Sequence, residues 1–136
     1  MRTMLTAAVL LLAGGTLANA ADLCGTEADC ADAATTADIV ACYAKATKRA
    51  DDAMNGLWPK VMALYDGNRD AKGDKSTLQQ AQDDWIAFRN STCDAESRLA
   101  DGGTIAGIYL EECRCAVTAA RVADFDRMIA DRSEGN

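Results

Sequence analysis

The sequence predicts an all-α fold: a small, disulfide-stapled bundle of three main helices with a short N-terminal arm. Three observations carry this. Apolar residues recur three and four apart along three long segments, the rhythm of one helix face. Polar, glycine-containing stretches separate those segments. Six cysteines stand in a chain of 136 residues that opens with an export signal, and exported chains favour disulfides over free thiols. Strand-like alternation of useful length and internal repeats are both missing from the sequence.

Residues 1–20 read as a secretory leader rather than as structure. Arg2 supplies a positive start, Leu5 to Leu17 is an apolar run, and Ala18-Asn19-Ala20 is a small-x-small exit, so cleavage is expected after Ala20. The run is too short to span a bilayer, and no later segment suits a span. Leu23, not a small residue, precedes Cys24, which argues against a lipid anchor. The expected product is a single domain over 21–136, periplasmic or secreted, without a membrane anchor. Losing Arg2 takes the formal charge from −7 to −8.

The first helix is expected to begin near Thr35 or Thr36, either of which can cap it. Its stripe runs Ile39, Cys42, Tyr43, Ala46, Ala50, Ala53, Met54, Leu57, Val61 and Leu64. Pro59 removes one hydrogen bond and crowds the preceding turn, which predicts a kink near Trp58. Asp66 to Lys75 reads as a polar loop. Ser76-Thr77-Leu78-Gln79 then offers a capping box for the second helix. Its expected stripe is Leu78, Ala81, Trp85, Phe88 and Thr92, with Trp85, Arg89 and Cys93 as a second row on nearly the same side. The helix should fade near Arg98 or Ala100. Asp101-Gly102-Gly103 is a turn signal, and Thr104 can cap the third helix. Its stripe is Ile108, Cys115, Thr118, Val122, Phe125 and Ile129, and Ser133 to Asn136 should fray.

Composition excludes much chemistry. The chain has no histidine, so Ser-His-Asp and Cys-His nucleophile pairs, histidine bases and histidine-containing zinc sites cannot form. With 21 acidic against 14 basic residues, the chain is ill suited to nucleic acid, whose phosphates need cations. Asp66-Gly67-Asn68-Arg69-Asp70 opens like a calcium loop, but Ala71 and Thr77 stand where glycine and glutamate are required. No metal or other cofactor is expected. The adjacent carboxylates Asp51-Asp52, Asp83-Asp84 and Glu111-Glu112 splay apart on a helix, which suits solvated faces or arginine partners better than a glycosidase pair. Arg89 and Arg121 flank apolar stripes, where partly buried ion pairs fix helix register. The chain is therefore read as a binding protein, not an enzyme.

The cysteines contain no Cys-x-x-Cys motif. Cys113 and Cys115, two apart on a helix, point to nearly opposite sides and suit two bridges better than one chelate. Six cysteines still allow fifteen connectivities.

A particular order of residues runs through the chain. Cys30 and Cys42 open it. Ala50-Asp51, Met54-Asn55, Trp58 and Met62 follow on the first helix, and Ala81-Gln82, Trp85-Ile86, Phe88-Arg89 and Cys93 on the second. Gly102-Gly103, Cys113, Thr118 and Arg121 complete it. This resembles the family of small exported bacterial domains named after the lysozyme inhibitor LprI, over about residues 30–129. Pro59, and Trp58 in a slot often held by tyrosine, depart from the pattern. The resemblance implies a helical domain with bridges Cys30–Cys42 and Cys93–Cys113. Cys24 and Cys115 are extra to it and would pair with each other by elimination. It marks Asp51, Asn55, Trp85, Arg89, Thr118 and Arg121 as a structural motif.

The family name implies inhibition of a lysozyme-type muramidase. A basic lysozyme would be steered toward a chain at −8. An inhibitory loop could enter the enzyme's cleft, with Arg98 to Thr104 (Arg98, Asp101, Gly102 and Gly103 above all) or Asp66 to Lys75 as candidates. The alternative is a periplasmic envelope interaction or accessory protein with no lysozyme activity. The sequence does not fix the oligomeric state.

Overall fold

The computed structural model describes residues 23–25 and 27–134. The leader expected over 1–20 lies outside the described residues. A short arm from Leu23, with a 3-10 turn at Glu27–Cys30, leads into three helices: α1 (Thr36–Ala63), α2 (Ala71–Ser97) and α3 (Ala106–Glu134). A further 3-10 turn, Arg98–Ala100, continues α2. No strand occurs among the described residues. The chain is thus an all-α, disulfide-stapled bundle of three helices with an N-terminal arm.

Thr35 caps α1 in a full capping box. Its hydroxyl accepts from the Asp38 N–H (3.2 Å), and the Asp38 carboxylate accepts from the Thr35 N–H (3.0 Å). Two of the four orphan donors of the first turn are satisfied this way. Pro59 stands at an exposed position inside α1, and the helix continues past it to Ala63.

The second helix begins five residues before the expected start at Ser76. Asp70 is its N-cap, accepting from the Gly73 N–H at 3.2 Å. A Cβ on Gly73 would collide with the Asp70 carboxylate, so the glycine that reads as a loop residue is what admits the cap. The loop is correspondingly short. Asp66 pairs with Lys75, and Asn68 donates to Asp74 (2.7 Å).

The third helix also departs from expectation. The Ile105 carbonyl accepts from the Tyr109 N–H (3.2 Å), so Ile105, not Thr104, stands at the start of α3. Asp101 (φ 48°) and Gly102 (φ 72°) both adopt the left-handed conformation that reverses the chain before it. At the far end α3 extends to Glu134, so Ser133 and Glu134 are helical rather than frayed.

α3 is the central helix. It packs along α1 and against α2, while α1 and α2 meet chiefly through long side chains. Near the arm the α1–α3 contact is made by small residues, Ala46, Ala50 and Cys115, covered by Leu23 and Cys24. Toward the other end it widens into Met54, Val61, Val122 and Phe125, flanked by Leu57, Trp58, Leu78 and Trp85. Phe125 is fully buried, with its ring 5.6 Å from that of Trp58. Gly107 allows close approach in the first turn of α3, since a Cβ there would lie 3.0 Å from a Val40 methyl.

Three disulfides close the fold: Cys24–Cys115, Cys30–Cys42 and Cys93–Cys113. The first pins the arm to the middle of α3, the second ties the arm to the start of α1, and the third joins α2 to α3 across the Asp101-Gly102-Gly103 turn.

Candidate functional site

The buried face of α2 is not the stripe expected from residue type. Ala81 and Thr92 are exposed, and Phe88 is 58% exposed. Gln82 (5% exposed) and Cys93 (0%) are the residues turned inward, with Leu78, Trp85 and Arg89 half-buried beside them. Two polar side chains therefore occupy the packing face, and each must be partnered to be tolerated there.

Each builds a clasp across all three helices. In the first, Arg89 Nη1 on α2 donates to Asp51 Oδ1 on α1 (2.6 Å) and to the Thr118 hydroxyl on α3 (2.9 Å). Thr118 is fully buried and donates to the Arg114 carbonyl one turn back (2.7 Å). In the second, Arg121 on α3 donates through Nε (3.0 Å) and Nη2 (2.9 Å) to Gln82 Oε1 on α2. Gln82 Nε2 in turn reaches Met54 Sδ on α1 at 3.4 Å. Trp85 links the clasps: Arg89 Cζ lies 5.5 Å and Arg121 Cζ 5.4 Å from its ring, and Arg121 also sits 4.7 Å over Phe125. Such cation–π contacts contribute about 0.5–2 kcal/mol each, more as the cation loses water. Burial lowers the Arg121 guanidinium pKa from its ordinary value, and the charge of Asp124 opposes the shift.

Among the described residues, only Arg114 Nε is a buried side-chain nitrogen or oxygen without a hydrogen-bond partner. No buried side-chain nitrogen or oxygen of either clasp is therefore left unpartnered. The geometry brings together Asp51, Trp85, Arg89, Thr118 and Arg121. Asn55 is exposed on α1 and joins neither clasp by a hydrogen bond. Gln82 and Met54 were missed as site residues, though a glutamine three residues before a tryptophan on a packing face is a readable signal.

The clasp predicts a measurable coupling. Arg89→Met and Asp51→Ala each destabilise the fold, and their effects are not additive. A double-mutant cycle by urea denaturation should give a coupling energy of about 1–3 kcal/mol. Simple additivity would mean that the pair sits in the fold without holding it.

The adjacent carboxylates are engaged locally. Asp52 pairs with Lys48 (2.6 Å) and Glu111 with Arg114 (3.2 Å), while Asp83 and Asp84 accept from Gln79 and Gln80 at 3.0 Å. No group of three His, Cys, Asp or Glu residues that could hold a metal occurs among the described residues.

The Arg98–Gly103 connection stands apart from the clasps. Arg98 pairs with Asp94 (2.8 Å), whose hydrogen bond and charge raise its pKa. The Gly103 N–H closes the turn on the Ala100 carbonyl at 2.8 Å. Leu99 is 80% exposed and Ile105 44%. Leu99 lies inside the Arg98–Thr104 stretch expected as a contact loop, whereas Ile105 falls just outside it.

The chain is a small helical domain: three helices stapled by three disulfides and clasped through two arginines, with Leu99 exposed in the connection at one end. The family model described as Lysozyme inhibitor LprI matches residues 27–125, and the chain belongs to that family. No curated protein and no solved structure matches it.

Proposed function

We propose that the protein is an exported inhibitor of lysozyme-type muramidases that acts by binding rather than by catalysis. Membership of the LprI family over residues 27–125 carries this reading. Three further features support it. The disulfides suit an oxidising compartment, in keeping with the leader read at residues 1–20 and its cleavage near Ala20. The excess of acidic residues suits a basic partner, and a chain without histidine needs no catalytic group in order to block one. No helix among the described residues is long and apolar enough to cross a membrane. The Arg98–Thr104 connection is the proposed contact, because it presents apolar surface on a fixed backbone. The Asp66–Lys75 stretch at the other end is the weaker candidate, since Asp66 is tied to Lys75 and Asn68 to Asp74 within it.

The test is a turbidity assay of cell-wall lysis with the oxidised protein freed of residues 1–20. Lysis by a basic lysozyme should slow in proportion to added protein and stop near stoichiometric amounts. Undiminished lysis by several lysozyme types at large molar excess would sink the reading and leave an envelope accessory role in its place.

A further inference from the structure

We propose that one end of the bundle is a docking surface for a cationic protein that presents exposed apolar side chains. This end comprises residues 32–43, the Arg98–Ile105 connection and the first two turns of α3. The inference rests on the reading of the chain as a binding protein, and adds where it binds and by what chemistry.

Among the described residues three large hydrophobic side chains are exposed, and two of them, Leu99 and Ile105, lie here. Singly they would need no explanation. Ile105 lines one of two open grooves beside the first turns of α1, and its neighbour Thr104 lines the other. One, of about 380 Å³, is lined by Ile39, Tyr43, Ile105, Ile108, Tyr109 and Glu112. The other, of about 700 Å³, is lined by Val40, Ala41 and Thr104 among others. An apolar patch with grooves beside a projecting leucine is what an interface core requires.

The patch is also rigid. The Cys30–Cys42 bridge underlies the first groove, Gly107 seats Val40 between them, and Asp101 and Gly102 lock the connection in left-handed backbone. A surface already in its bound shape forfeits little entropy on association.

Charge decides the occupant. The stretches 32–43 and 94–114 carry seven acidic residues and two basic, a net −5 of the chain's −7. Both basic residues are engaged, Arg98 by Asp94 and Arg114 by Glu111. Asp32, Glu96, Asp101 and Glu112 are exposed and have no ion-pair partner among the described residues. An acidic rim around an apolar centre attracts a basic surface and repels a second copy of itself.

The experiment compares wild type, the double variant Leu99→Asp/Ile105→Ser and a control, Lys60→Ala, exposed in the last turn of α1 at the opposite end. Circular dichroism should report equal melting for all three, since the altered side chains are exposed. Two probes are used: a basic lysozyme by calorimetry, and a fluorescein-labelled lysine–leucine amphipathic peptide by anisotropy. Where wild type binds the lysozyme, that arm decides. The double variant should lose at least tenfold in affinity while Lys60→Ala keeps it. Equal binding by the double variant overturns this surface and leaves muramidase inhibition standing. Where wild type does not bind the lysozyme, the muramidase reading falls and the peptide arm decides. Peptide binding lost in the double variant upholds the surface, and equal binding or none overturns it. Sedimentation that shows a dimer abolished by Leu99→Asp/Ile105→Ser assigns the patch to self-association and also overturns the proposal.

Discussion

Replacing Cys24 and Cys115 together by alanine should lower the free energy of unfolding by about 4.5 kcal/mol, against about 3 kcal/mol for the same change at Cys30 and Cys42. The difference follows from chain length, because the first bridge spans 91 residues and the second only 12. A long crosslink removes more conformations from the unfolded chain. Two further consequences distinguish this bridge. Leu23, held beside Cys24, packs against both core clusters, so freeing the arm also uncovers Ala46 and Ala50. The denatured chain becomes less compact, so the urea m-value should rise as the midpoint falls. Equal losses at the two bridges would contradict the chain-entropy account and place the stabilisation in local contacts instead.

Phe125→Ala is the second large effect, expected at about 3–5 kcal/mol, or a fall in melting temperature on the order of 15 °C. Phe125 is fully buried and is the largest such side chain among the described residues. It fills the space between α1 and α3, meets the Trp58 ring and lies under the Arg121 guanidinium. The truncation leaves a cavity and takes away one of the two rings that face that cation. The fold should stay monophasic in its melt, since both clasps survive. A loss below about 1.5 kcal/mol would mean that Trp58 and Met128 collapse into the space, a plasticity the close-packed core argues against.

Parts of this architecture are legible in the sequence for physical reasons, and parts are not. The start of α1 is readable because Thr35 and Asp38 satisfy two backbone donors with no help from elsewhere in the fold. The start of α2 is not. Ser76-Thr77-Leu78-Gln79 competes with Asp70 as a cap, and Gly73 weighs against helix by propensity. What decides the matter is local space, because only glycine leaves room for the Asp70 carboxylate.

The packing face of α2 is misread for another reason. The expected row Trp85, Arg89 and Cys93 does turn inward, but counting apolar types also selects Ala81, Phe88 and Thr92, which are exposed, and passes over the buried Gln82. Periodicity does not reveal that a glutamine has partners waiting on two other helices. The motif carried what hydropathy could not. The residues Asp51, Trp85, Arg89, Thr118 and Arg121 meet in space, with Arg89 and Asp51 forming the partly buried ion pair that their places beside the stripes imply. Leu99 falls within the expected Arg98–Thr104 loop, but the outward Ile105 was missed because a stripe analysis looks for buried residues and passes over the exposed ones.

The most direct measurement of the central claim is calorimetric titration of a basic lysozyme with the oxidised protein at two salt concentrations. The account predicts a saturable one-to-one complex whose affinity weakens as salt rises, since acidic steering is screened within about 8–10 Å at physiological ionic strength. Absence of a binding isotherm with every lysozyme tried, or binding indifferent to salt, would contradict it.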